Sequence, residues 1–185
     1  MNLPGYLQLP ECYNRNTTTE GGNGVFLMPS LPTDEREPFD DERYIFEPMI
    51  DGHRLVLSME NGIVRLFTRH GNDVTRQYPE LHRVPVDDNS DVVLDGEVAC
   101  IDAATGAIDP ERMMERYRLN RPMAIREASV VNPVHFFVFD ILRYKGNDVR
   151  SLALADRKRL LAEALTPTRW FSPMPTFEQF GQSLF

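Results

Sequence analysis

The feature that most constrains the fold is a pair of alternating segments joined by an asparagine-glycine dipeptide. Residues 55–68 have the sequence LVLSMENGIVRLFT, with apolar and polar side chains alternating on both sides of Asn61 and Gly62. A period of two is typical of a half-buried β-strand, and Asn-Gly supplies the positive φ angles that a tight hairpin turn needs. The pattern therefore predicts an antiparallel hairpin.

Two later segments also predict strands. Residues 91–101, DVVLDGEVACI, show a strand pattern that Asp95 and Gly96 interrupt. Pro133 then precedes VHFFVFDIL, an apolar run rich in valine and phenylalanine. Such a run is most simply a buried strand.

Helices are predicted only in the second half of the chain. Asp109 followed by Pro110 is a typical helix start, and residues 111–119 can continue that helix. Leucines spaced among charged residues predict an amphipathic helix over residues 153–165. Since strands come first and strand–helix alternation is absent, the sequence favours an α+β fold with antiparallel sheets and flanking helices over a doubly wound parallel sheet.

The N-terminal part of the chain gives little periodic signal. Residues 1–24 are rich in Asn, Thr and Gly, which predicts a poorly ordered or atypical extension. Residues 25–41 mix apolar pairs with prolines and acids and predict an extended arm, so we expect the folded part to begin near Tyr44. Neither a signal peptide nor a membrane span is indicated, which favours a cytoplasmic protein.

Composition narrows the chemistry further. The formal net charge of −8, from 28 acidic and 20 basic residues, disfavours a non-specific grip on phosphate backbones. Cys12 and Cys100 have no metal-ligand spacing, so a disulfide framework or zinc site is not expected. Lys145 and Lys158 are the only lysines in the 185 residues. A lysine-dependent reaction therefore has only two candidates in this chain.

Three short segments place acidic side chains at the end or bend of an apolar strand. They are EPMIDGHR at residues 47–54, LDGEV at residues 94–98 and FVFDIL at residues 137–142. A single Asp-Gly pair in such a context is usually only a turn. Three acid-bearing segments in this order and with these intervals instead indicate a functional site.

These segments resemble motifs of the nucleotidyltransferase domain of ATP-dependent DNA ligases, and more distantly of RNA ligases and mRNA capping enzymes. The first motif of that family has the form E-x-K-x-D-G-x-R, which residues 47–54 match at Glu47, Asp51, Gly52 and Arg54. Residues 94–98, residues 137–142 and the sequence TRHGN at residues 68–72 are similar to later family segments. The resemblance implies a partial ATP-grasp-like nucleotidyltransferase domain over residues 25–185.

The resemblance also implies a site for ATP and Mg²⁺ and a reaction. A lysine amine of these ligases attacks the α-phosphorus of ATP and holds AMP as a phosphoramidate before transfer to a DNA 5′-phosphate. It implies that Glu47 lies by the adenine, that Phe139 stacks on it, and that Arg54 and Arg69 meet ribose, phosphate or DNA. The residues it implies at ATP are Glu47, Arg54, Arg69, Glu97 and Phe139, with Glu97 and Asp51 at Mg²⁺. Alternatively, Phe139 is a plain core aromatic.

Met49 stands at the family's nucleophile position. A thioether has no proton to lose and forms no stable phosphoramidate, so we expect this chain not to self-adenylate. Lys145 is expected in a loop and Lys158 on a charged helix, and neither position predicts the near-attack placement that a nucleophile needs. Methionine is roughly as long as lysine, so a pocket could still close around it.

Family members continue with E-G-x-x-x-K and K-x-K segments and an OB-fold domain, none of which we expect within residues 25–185. A sheet without those strands would expose apolar surface and invite self-association or a completing partner chain. The resemblance implies nicked double-stranded DNA as the other partner. The open alternatives are an inactive ligase-type fragment, a non-covalent ATP- or DNA-binding module, and a degenerate gene product.

Several charged residues have simpler interpretations. His53 and His70 are expected as surface or hydrogen-bonded histidines rather than metal ligands. An arginine-rich segment is interspersed with glutamates, which favours a solvated face over contact with DNA phosphates. Its arginines are Arg112, Arg116, Arg118, Arg121 and Arg126.

Overall fold

The protein is described by a computed structural model over residues 18–21, 24–29, 39–41, 44–87 and 90–178. Its centre is a six-stranded sheet. The strands are β1 (Thr18–Gly21), β2 (Gly24–Leu27), β3 (His53–Glu60), β4 (Ile63–Thr68), β5 (Val92–Cys100), β6 (Val134–Tyr144), β7 (Asn147–Asp148) and β8 (Phe171–Pro173). The helices are α1 (Pro110–Arg118), α2 (Pro122–Val131) and α3 (Leu154–Ala164), with short 3₁₀ helices at Thr75–Gln77 and Pro79–Leu81.

The strand order in the sheet is β4-β3-β5-β6-β7, with β8 beside β6. Every pairing is antiparallel except that of β6 with β8. The predicted hairpin is confirmed: Glu60 pairs with Ile63, and Asn61 and Gly62 take φ angles of 49° and 76° between them. The predicted α+β fold with antiparallel sheet and flanking helices is therefore confirmed.

Strand β5 is continuous, although the sequence predicted an interruption at Asp95 and Gly96. Its pairing with β6 is instead irregular at two places, between Val93 and Leu94 and between Asp95 and Gly96. At the second, Asp95 pairs with Asp140 and Gly96 with Val138. Phe139 is thus the extra residue of a β-bulge, a feature that redirects side chains. A Cβ on Gly96 would lie 2.4 Å from the carbonyl oxygen of Phe137, so only glycine allows this close approach of the two strands.

The two faces of the sheet have different surroundings. One face, here called the core face, holds most of the apolar side chains of the sheet, including Leu55, Leu57, Leu94 and Phe136, and packs against helix residues such as Leu161 of α3. The opposite face, here called the site face, packs at one end on buried residues of β2, namely Val25, Phe26 and Leu27. Alternation along β3 and β5 places Arg54, Asp95 and Glu97 on the site face with Val56 and Val93.

The expectation that folded structure begins near Tyr44 is wrong. Residues 18–21 and 24–27 pair as a hairpin, and the apolar side chains of β2 pack on Val56 and Leu142 of the main sheet. Short strands of this kind escaped the sequence patterns because flanking Asn, Thr and Gly mask the alternation. The remainder of the predicted extension, residues 1–17 and 22–23, and most of the predicted arm, residues 30–38, lie outside the described residues.

Both predicted helices are confirmed. Asp109 caps α1 by accepting a hydrogen bond from the backbone N–H of Arg112 at 3.0 Å, and α3 covers all but the ends of its predicted range. Helix α2 was not predicted, since it buries only Ile125 and therefore shows little amphipathic pattern. No described helix combines the length and hydropathy that crossing a membrane requires.

Candidate functional site

The centre of the site is a buried ion pair between neighbouring strands. Arg54 of β3 donates from Nε and Nη2 to the two carboxylate oxygens of Asp95 on β5, at 3.1 and 2.7 Å. The Asp95 side chain is fully buried, and such a two-point contact fixes the guanidinium plane. This guanidinium lies 5.0 Å from the ring centroid of Phe139, which is 2% exposed. The bulge residue Phe139 is therefore covered by Arg54.

A second ion pair joins the segment before β3 to helix α3. Lys158 donates to the carboxylate of Glu47 and to the backbone carbonyl oxygen of Phe139. Both side chains are largely buried, at 10% and 5% exposure for Lys158 and Glu47. Burial raises the pKa of Glu47, and the Lys158 ammonium acts in the opposite direction. Lys158 is on a helix as predicted, but it points into the site.

A third ion pair is completely buried. Arg157 donates from Nε and Nη2 to Asp140, the residue after the bulge, at 2.9 Å for each nearest contact, and from Nη1 to the carbonyl oxygen of Leu152 at 2.7 Å. Both side chains are 0% exposed. Together the three pairs form what we call the ion cluster: Glu47, Asp95, Asp140, Arg54, Arg157 and Lys158. Its acidic and basic residues balance.

Glu97 lies next to this cluster on the site face, directly across from Arg54 in the β3–β5 pairing. The pKa of its carboxyl is raised to about 8, mainly by burial and also by Asp95 and Asp51, against the opposing effects of Arg54 and Arg69. The chain before β3 approaches closely here, because a Cβ on Gly52 would lie 2.2 Å from the carbonyl oxygen of Val98. That glycine brings Asp51 within electrostatic range of Glu97.

Two other predicted site residues, Met49 and Arg69, are exposed at the edge of the site. Met49 is 40% exposed and lies in the chain between Glu47 and Asp51. Arg69 follows β4, is exposed, and donates from Nε to the ring of His70 at 3.1 Å. Arg54 thus contacts Phe139 directly, and Lys158 links Glu47 to Phe139. Asp51 and Arg69 interact with Glu97 electrostatically.

The two histidines with simple interpretations are hydrogen-bonded. His53 contacts the hydroxyl of Tyr78 at 3.3 Å and packs edge-on against Tyr117, and burial lowers its pKa. His70 accepts from Arg69. Among the arginines predicted to form a solvated face, Arg116 is an exception: it is 1% exposed and donates to Glu80 at 2.7 Å. The exposed members are Arg112, Arg118, Arg121 and Arg126.

Sequence reasoning missed four of the six ion-cluster residues as site residues: Asp95, Asp140, Arg157 and Lys158. The sequence contains a signal that could have identified Asp140 and Arg157. Asp140 lies within the apolar run FVFDIL, and Arg157 is three residues after Leu154 and four before Leu161, on the buried stripe of α3. An acid inside a strand and a base on an apolar helix face predict each other, because buried charges need partners.

The resemblance implies that carboxylates of this site bind Mg²⁺. Among the described residues, no group of three or more His, Cys, Asp or Glu is arranged to hold a metal ion. Mg²⁺ is often bound by one or two carboxylates together with substrate phosphates. Glu97 and Asp51 fit that limited role, in which Mg²⁺ would offset phosphate charge.

Comparison with known proteins establishes the family. A family model described as ATP dependent DNA ligase domain matches residues 33–179. The chain belongs to the ATP-dependent DNA ligase family. It is 39% identical over 137 residues to the SPbeta prophage-derived DNA ligase-like protein LigB of Bacillus subtilis, covering 74% of this chain and 47% of LigB. Identity to the bifunctional non-homologous end joining protein LigD of the same organism is 31%, over 75% of this chain and 24% of LigD.

Solved ligase structures share the fold. A mycobacterial DNA ligase D complexed with ATP and MES superposes with a TM-score of 0.60 at 30% identity, covering 76% of this chain and 42% of that one. The ligase domain of LigD from M. tuberculosis gives a TM-score of 0.56 at 28% identity, with the same coverage of 76% and 42%. The chain therefore spans less than half the length of these ligase-family proteins.

Proposed function

We propose that this chain binds ATP non-covalently at the site face and does not become adenylated. The observation that carries the proposal is the gathering of Glu47, Arg54 and Phe139 around a segment that has Met49 in place of a reactive amine. Family membership and the ATP complex of the mycobacterial relative support ATP as the ligand. The thioether of Met49 contributes length and polarizability but no nucleophile.

Each site residue receives a role in this proposal. Glu47 accepts hydrogen bonds from the base, Arg54 and Arg69 contact ribose or phosphate, and Glu97 contacts ribose or a phosphate-bound Mg²⁺. Phe139 supplies the aromatic surface for the base. Because Arg54 covers this ring, stacking requires the guanidinium to move. Binding is then coupled to a rearrangement of the Arg54–Asp95 pair.

Lys158 does not replace the missing nucleophile. A lysine attacks phosphorus through the lone pair of its amine, whereas the Lys158 side chain donates hydrogen bonds to Glu47 and to the backbone carbonyl oxygen of Phe139. Lys145 is exposed after β6, and its side-chain nitrogen lies 5.2 Å from the ring centroid of Tyr144. Neither lysine is therefore expected to carry AMP.

Two measurements test the proposal. Isothermal titration with ATP and Mg²⁺ should show saturable binding, and intact-protein mass spectrometry after the same incubation should show the unmodified mass. Lys145→Met is the matched control, since it removes the lysine outside the site and should leave binding unchanged. Absence of binding, or an AMP adduct on either lysine, would contradict the proposal.

Nicked DNA is the proposed macromolecular partner, because the chain belongs to the ATP-dependent DNA ligase family. The exposed arginines around the α1–α2 connection, Arg118 and Arg121, offer phosphate contacts despite the net charge of −8. Fluorescence anisotropy with a nicked duplex should show binding that weakens steeply with salt. The double charge reversal Arg118→Glu and Arg121→Glu should abolish it, whereas Arg143→Glu, at the other end of the sheet, should not.

A further inference from the structure

We propose that Lys158 is a positioning residue that keeps Glu47 in the carboxylate form and thereby sets a preference for adenine over hypoxanthine at the nucleotide site. This inference rests on the proposed function. It concerns the base rather than the chemistry at phosphorus, and it assigns a role to a residue that contributes no reactive group.

The contacts of Lys158 connect three parts of the site. Its ammonium, carried by α3, donates to the Glu47 side chain before β3 and to the backbone carbonyl of Phe139 in the β6 bulge. An ammonium has three donors and no acceptor. It therefore orients the carboxylate of Glu47 relative to the ring of Phe139, the two groups proposed to meet the base.

The ionisation state of Glu47 decides which base edge it can bind. An ionised carboxylate only accepts hydrogen bonds, whereas a protonated one can also donate. Adenine presents an amino group at position 6, which donates, and hypoxanthine presents a carbonyl there, which accepts. Ionised Glu47 consequently favours adenine, and a hydrogen bond to a charged group corresponds to roughly tenfold or more in affinity.

Lys158 favours the negative charge of Glu47, whereas the other groups that face Glu47 disfavour it. Asp140 on β6 and Asp95 on β5 both disfavour its negative charge, as does burial. Those two carboxylates are themselves paired, with Arg157 and Arg54. Without Lys158, Glu47 would lie buried beside two carboxylates with its nearest cation removed. Glu47 would then stay protonated up to a higher pH, and the preference for adenine would be lost over that added pH range.

The experiment compares ATP with inosine triphosphate, both with Mg²⁺, by isothermal titration across a pH series. The wild-type chain should prefer ATP at neutral pH and lose that preference as pH falls through the pKa of Glu47. In Lys158→Met the loss should occur at higher pH, with at least a tenfold lower preference at neutral pH. Lys158→Arg keeps the charge and the donors and should restore the wild-type profile.

The outcomes separate this inference from the proposed function. If the wild type binds neither nucleotide, both fail. If it binds both equally, or if Lys158→Met has the wild-type profile, only the role of Lys158 is overturned. A thermal melt establishes that Lys158→Met is folded; if it is not, Glu47→Gln decides. Glu47→Gln should make the ATP preference independent of pH, and a retained pH dependence would overturn the inference.

Discussion

The core face and the site face of the same sheet are stabilised in different ways. On the core face, strands β3, β5 and β6 bury side chains such as Leu57, Leu94 and Phe136 against one another and against the helices. Beyond the apolar contact with β2, the site face and the adjoining bulge bury the ion cluster, in which each charge contacts an opposite charge from another element. Strands of one sheet thus carry an apolar layer and an ionic layer.

The two layers differ in how much stability is lost when one contact partner is removed. An apolar side chain contacts many neighbours, and removal of one leaves a cavity of limited cost. A buried ion depends on one or two partners, and removal of either leaves an uncompensated charge in a low dielectric. The ionic layer should therefore be the more sensitive to single substitutions, and it is also where the nucleotide is proposed to bind.

The largest effect is expected for Arg157→Met. Asp140 would lose its two-point contact in a fully buried position, which typically costs about 3–5 kcal/mol of the free energy of unfolding. Arg159→Met on the same helix is the matched control, because its side chain is 77% exposed and its ion pair with Asp156 is worth about 0–1 kcal/mol. Urea denaturation of both variants measures the difference. Equal losses would show that the ionic layer has no special sensitivity.

The apolar layer is tested by Leu57→Ala, where a side chain of 0% exposure is removed from between β4 and β5. A loss of about 2–5 kcal/mol is expected, with the upper part reached only if the cavity does not collapse. Ile63→Ala, at a 56% exposed position in β4, should lose much less. If Leu57→Ala exceeds Arg157→Met in the same denaturation series, the order of the two layers is reversed.

The sequence predicted the core face far better than the ionic layer. Alternation around Asn61 and Gly62 is a local signal, and it located β3 and β4 and their turn correctly. The pairing of Arg157 with Asp140 is not local, since 17 residues separate them and a bulge must first redirect the acid. Motif resemblance found Arg54 and Phe139 but not the guanidinium over the ring, because a motif carries no side-chain conformation.

A third test concerns the bulge that joins the two layers. Gly96→Ala would place a methyl group 2.4 Å from the carbonyl oxygen of Phe137, so β5 and β6 must separate. Overpacking of this kind costs about 1–3 kcal/mol. Gly106→Ala is a control without crowding, since only its positive φ of 72° opposes the substitution. Thermal melts should rank Gly96→Ala below Gly106→Ala, and the opposite ranking would mean that the strands adapt freely.

The smallest effect is a pH dependence arising from Glu97. Its pKa is raised to about 8 in the folded protein from an ordinary value of 4.5, mainly by burial. Between these values the folded state binds the proton more strongly than the unfolded state, so the contribution of Glu97 to stability falls as pH rises. One proton gives a slope of at most about 1.4 kcal/mol per pH unit. Because Glu97 is partly exposed to solvent, its total contribution is reduced to about 1–2 kcal/mol.

Glu97→Gln should flatten the stability profile between pH 5 and pH 8 in urea denaturation. Asp51→Asn removes only a neighbouring charge, so this variant should keep most of the slope. An unchanged profile in Glu97→Gln would contradict the raised pKa of this carboxyl in the folded protein without nucleotide.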